Sequence, residues 1–113
     1  MSETGRTWRR PFKGHAVEAA EVRAWTRKRT DHPDAPLVVH ELFVAVLSSG
    51  ADIIELTLST AGNRLRITAT GPQHLAARHT HGPGWSIVAG LAHTTGITTD
   101  ETGLWAQLQE PTA

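Results

Sequence analysis

Glu41 stands in the run His40-Glu41-Leu42-Phe43-Val44-Ala45-Val46-Leu47, a single carboxylate in an otherwise apolar stretch. In that setting it is a candidate general base, able to polarise an attacking hydroxyl or water. The same position suits a Glu at the less buried edge of a core helix, paired with an arginine. Glu41 and Ala45 are four residues apart, hence on one helical face. Downstream, Gly82-Pro83-Gly84 precedes apolar residues at helical spacing. Such a turn lets backbone N–H groups at a helix N-terminus approach an anion, and it is also an ordinary loop stop. His74, His79 and His81 are imidazoles of the kind that bind zinc, but a His-x-His pair with no cysteine completes no tetrahedral set, so no metal site is expected. Arg6, Arg9, Arg10 and Lys13 gather near the amino end without the interleaved motif of a nucleic-acid-binding module.

The chain that must position these groups has 113 residues, enough for one domain whose folding removes about 65% of the unfolded surface from water. Its 11 basic and 11 acidic side chains cancel, so the broad field used in non-specific binding to nucleic acid or anionic membranes is missing. With no cysteine, disulfides, thiolate catalysis and thiolate metal sites are excluded. No apolar stretch approaches the ~18 residues of a membrane span, and MSETGRTWRR lacks the apolar core of a signal peptide. A soluble cytoplasmic protein is expected. Nine of the eleven basic residues are arginine, a bias of GC-rich bacterial genomes.

The element pattern reads as follows. Residues 1–6 are polar and form a flexible N-terminus, 7–12 an edge strand containing Pro11, and 110–113 a tail, leaving a single domain over 7–109. Val17, Ala20, Ala24 and Trp25 share a face and predict a helix over 15–30. After a turn, Asp34 as N-cap and Pro36 in the first turn start a helix that runs to Ser49, with Gly50 as its stop. That helix is apolar almost all round, which makes it the central one. Residues 53–59 and 64–70 alternate and are joined by Ala61-Gly62-Asn63, an antiparallel hairpin. Residues 71–84 form a mobile loop, 85–95 a helix stopped by Gly96, and 103–108 a last strand. The four tryptophans are assigned to packing, with Trp8 also a candidate contact residue. The fold class is α+β, a two-layer sandwich with a mixed, mostly antiparallel sheet and about three helices on one face.

Phe12-Lys13-Gly14, Glu41-Leu42, the hairpin, Gly82-Pro83-Gly84 and Leu104-Trp105-Ala106, in that order, resemble the GHKL superfamily of ATP-binding domains, over roughly residues 7–108. The nearest branch looks like the small bacterial anti-sigma-factor serine kinases, whose fold is a Bergerat-type α/β sandwich, as in histidine-kinase ATPases. In that family the central helix carries Glu, then an Asn that coordinates Mg²⁺ on the nucleotide phosphates, then His. Setting the Glu on Glu41 places the Asn on Ala45 and the His on Ser49. A methyl group offers no oxygen to a hard cation. The Asp that accepts a hydrogen bond from adenine falls on Gly71, or on Thr70 if the alignment slips by one. The two phosphate glycines are kept as Gly82 and Gly84, with Pro83 removing an N–H donor between them.

The resemblance therefore implies a degenerate regulatory member that acts by binding another protein, with ATP and Mg²⁺ binding weakened or lost and a pseudokinase character. Residual nucleotide contacts would fall on Glu41, Ala45, Gly71, Gly82 and Gly84. The partner implied is a sigma factor or an anti-sigma antagonist-like protein, with a homodimer as the family's common assembly and no nucleic acid or membrane. The alternative is an ATP-dependent serine/threonine protein kinase with Glu41 as catalytic base, which needs Ser48, Thr68 or Thr70 to replace the lost ligands. A third reading is a module for another small molecule in the vacated pocket, lined by Ala45 and Ala69 and suited to a ligand less charged than ATP.

Overall fold

The computed structural model describes residues 5–76 and 82–109. Its elements run β1 (Gly5–Lys13), a 3₁₀ turn (Ala16–Glu18), α1 (Ala19–Arg27), α2 (Ala35–Leu47), β2 (Ile53–Ala61), β3 (Arg64–Thr70), α3 (Pro83–Leu91), β4 (Thr94–Ile97) and β5 (Gly103–Gln109). The five strands form one sheet in the order β1-β2-β3-β5-β4, and each neighbouring pair is antiparallel. The architecture is the expected α+β sandwich, with no parallel pair among the described strands.

The pleat explains the two layers. Leu58, Ile67 and Ala106 lie side by side across β2, β3 and β5, as do Leu56, Ala69 and Leu104, and all six are buried. The alternate rows, Thr57-Thr68-Trp105 and Ser59-Arg66-Gln107, face the open side. Apolar residues on one face of the sheet require a cover, and α2 supplies it with Val38, Val39, Leu42, Phe43 and Val46, all at 0% exposure. Pro36 occupies its first turn, and Gly50 takes the left-handed φ of +88° that ends the chain's helical run. Asp34 is the N-cap residue, but its carboxylate makes no cap bond; its N–H donates to His32 Nδ1 (3.1 Å) instead.

Several boundaries differ from the sequence reading. β1 begins at Gly5, two residues earlier than expected, because pairing with β2 extends to Ala61. Arg6 N–H faces β2, donating to Thr60 Oγ1 (3.3 Å), so alternation turns the missing N–H of Pro11 to the outer edge. The first helix starts with the 3₁₀ turn, and its buried face is not the predicted one, since Ala20 is exposed as well as Val17. Val17 is 84% exposed, and the buried face is Val22, Trp25 and Thr26. Thr26 can sit there because its hydroxyl donates to Val22 O (2.9 Å). α3 starts at Pro83 and ends at Leu91, so Gly96 is no helix stop but a residue of β4. A Cβ built on Gly96 would lie 2.5 Å from Trp105 Cζ2, so the ring lies over the glycine on the open face. Trp105 also stacks under Arg66 (4.2 Å), whereas Trp8, Trp25 and Trp85 pack on the core. Of the expected flexible N-terminus, Gly5 and Arg6 belong to β1, while residues 1–4 and the expected tail at 110–113 lie outside the described residues.

Candidate functional site

The site is built where the second half of α2 passes the start of α3. Glu41, Val44, Ala45 and Ser48 project from one face of α2, at spacings of three, four and seven residues from Glu41. Opposite them stand Gly82, Pro83, Gly84 and Trp85, the N-cap and first turn of α3. Between the two rows lies an open-mouthed cavity of about 230 Å³. The residues expected to share a site, Glu41, Ala45, Gly82 and Gly84, are thus brought together.

Gly82 is extended (φ −91°, ψ 173°), and Pro83 fits the first helical position because it has no N–H to leave unpaired there. The amides of Gly84 and Trp85 belong to the first turn of α3, which has no partner within the helix, and the helix dipole adds partial positive charge at this end. No side chain caps it. The Glu41 carboxylate comes closest: a Cβ built on Gly84 would lie 2.5 Å from Glu41 Oε2. Gly84 is therefore needed for close approach, and the negative charge stands where an anionic phosphate would have to enter. Among the described residues Glu41 has no hydrogen bond and no ion pair, so the expected Arg partner is not there. The nearby arginine of α1, Arg23, donates instead to His40 Nδ1 (2.7 Å).

Ala45 itself offers only a methyl group to the cavity. Ser48 lines the cavity, but its hydroxyl donates to Ala45 O (2.6 Å), and Ser49 Oγ donates likewise to Val46 O (2.6 Å). Thr68 stands on the open face of the sheet, paired with Trp105. Among the described residues no group of three or more His, Cys, Asp or Glu converges. His79 and His81 lie outside the description, and the described His74 sits 3.7 Å from Glu101 Oε2, both largely exposed.

Gly71 does not join this cavity. It lines a separate recess of about 400 Å³ with Asp52, Ile53, Glu55, Thr70 and Pro72. A Cβ on Gly71 would meet Ala51 Cβ at 3.0 Å and Val46 Cγ1 at 3.1 Å, tighter than ordinary contact, so a carboxylate at this position has no ready space. Ala69 is fully buried in the core and does not line this cavity, which corrects its assignment to the vacated site. Sequence reasoning missed Val44 and Trp85 as lining residues. Both signals were present, since Val44 follows Glu41 by three and Trp85 follows Gly84 directly.

The chain matches no protein-family model and no curated protein sequence. The chemistry available at the cavity is that of a largely apolar wall with Trp85, one carboxylate and the Ser48 hydroxyl.

Proposed function

We propose that the chain is a degenerate GHKL-type regulator, similar to the bacterial anti-sigma-factor kinases, that acts in the cytoplasm by binding another protein rather than by phosphoryl transfer. The supporting observation is the make-up of the shared cavity: Glu41, Ala45, Gly82 and Gly84 line it, and Glu41 is their only side chain with oxygen atoms. A base without a metal-held phosphate has nothing to act on. The Glu41 charge beside the α3 N-terminus further opposes an anionic ligand, and Gly71, which brings no carboxylate for adenine, is tightly packed and lines a different recess. On this reading the scaffold persists as a surface for a protein of the sigma-factor or anti-sigma-antagonist kind, and the homodimer common in the resembled family is the first assembly to look for.

Calorimetric titration with ATP and ADP, with and without Mg²⁺, tests the reading. The expected result is no binding tighter than about 100 μM, equivalent to roughly 5.5 kcal/mol. Magnesium-dependent binding stronger than that overturns the reading and makes a serine/threonine kinase assay the next step.

A further inference from the structure

The cavity between α2 and α3 has a charge and a size that select a ligand class. Its carboxylate is unpaired among the described residues, and beside Ser48 and the two glycines its lining is Val44, Ala45, Pro83 and Trp85, all apolar or aromatic. The α3 N-terminus offsets only part of the carboxylate's full charge, so the site still favours a cation, and an indole beside it favours a guanidinium, which stacks on aromatic surfaces and sheds water more readily than an ammonium. At about 230 Å³ the cavity falls below the ~300–1,000 Å³ usual for small-molecule pockets, and matches one side chain better than a free ligand. The surface around it is apolar as well. Val44 on α2 is 39% exposed, while Ile87 (40%) and Leu91 (36%) follow Pro83 at steps of four along one stripe of α3. α3 buries only Val88, so a helix of almost wholly apolar composition is left largely uncovered.

We infer that this pocket receives one basic side chain, arginine in preference to lysine, presented by a protein partner whose apolar residues cover Val44, Ile87 and Leu91. Glu41 pairs with the incoming cation, Trp85 stacks on it, and Gly84 keeps the carboxylate accessible by having no Cβ. The inference rests on the reading of the site as one that has lost its nucleotide. It gives Glu41 a present use that catalysis does not require.

The test follows the Trp85 indole N–H and the Gly84 amide by two-dimensional NMR while N-acetyl-arginine methylamide, N-acetyl-lysine methylamide, agmatine and Mg-ATP are added separately. Both resonances are expected to move with the capped arginine, less with the capped lysine, and the arginine affinity to fall about threefold to tenfold in Glu41→Gln. Should that variant fold poorly, the wild-type response read at rising salt serves instead, because an ion pair weakens as salt screens it. Equal affinity in Glu41→Gln, or no salt dependence, overturns the inference. Agmatine binding about tenfold tighter than the capped residue overturns the partner assignment in favour of a free amine. Silence with every probe overturns the inference and leaves the lost-nucleotide reading standing, whereas Mg-ATP moving these resonances at lower concentration than any amine overturns both.

Discussion

Asp100 shows how one residue can organise a turn that packing does not reach. Its Oδ1 accepts from Thr98 Oγ1 (2.6 Å), Thr102 Oγ1 (2.8 Å) and Thr102 N–H (3.1 Å), closing the connection between β4 and β5. Within it Glu101 takes a φ of +62°, the sole positive value for a non-glycine among the described residues. Three donors on one oxygen stabilise the charged form, the Thr98 hydroxyl most, and hold the carboxyl down from 3.8 to about 2. A depressed folded-state pKa means the contribution is complete above the unfolded value and disappears as pH falls through the folded one. Asp100→Asn keeps an acceptor oxygen and removes the charge. The melting temperature of the wild type should therefore exceed that of the variant near neutrality, and the gap should close between about pH 3.8 and about pH 2. A gap that stays constant across that interval in paired thermal melts would rule out a charge-assisted turn. The effect is small, because the carboxylate is fully in solvent.

At the scale of elements, α1 separates what periodicity reveals from what it hides. The apolar spacing correctly indicated a helix, but it chose the face of Val17, Ala20 and Ala24, of which Val17 and Ala20 are exposed and Ala24 is only half-buried, whereas the buried face runs through Val22, Trp25 and Thr26. Val22, absent from the predicted face, is fully buried, while Val17 is in solvent. Val22→Ala should cost about 1.5–3 kcal/mol in denaturant unfolding, from the lost methyls and the space they leave. Val17→Ser should stay within about 0.5 kcal/mol. Similar losses at the two sites would contradict the observed face. Elsewhere the legible parts were those in which local chemistry and tertiary packing agree. The β2–β3 hairpin alternates strictly because one face is buried, and Gly62 supplies the positive φ (59°) of its turn. α2 could be read from Pro36 to Gly50 because its apolar run has no other home in a chain this short. β4 was illegible: Thr94-Thr95-Gly96-Ile97 has almost no alternation, and it becomes a strand through pairing with β5 and the seat that Gly96 offers Trp105. The cavity was half legible. Spacing placed Glu41 and Ala45 on one helical face, and only the family resemblance joined Gly82 and Gly84 to them, whereas the exclusion of Gly71 depends on its closeness to Val46 and Ala51, which no sequence window contains.

For the whole molecule, stability is graded from the centre to α3. β2 and β3 each have strand neighbours on both sides, and α2 packs on the sheet between α1 and α3. β4 is a four-residue edge strand, and α3 contributes one buried side chain. Local opening follows such differences, since an element with few buried contacts can detach without dissolving the core. Native-state hydrogen exchange should therefore find the amides of α2, β2 and β3 opening only with global unfolding, and those of α3 and β4 opening at least about tenfold more often, a gap of about 1.4 kcal/mol. If α3 exchanged as slowly as β3, the helix would already be tied down and its apolar stripe would need no partner. The same measurement links stability to recognition. A partner that covers Val44, Ile87 and Leu91 binds the closed form of α3 and not the open one, so its binding must slow exchange in α3 while leaving the slowest amides of β3 nearly unchanged wherever they report on core opening alone. Protection gained evenly over the sheet would instead place the partner on another surface.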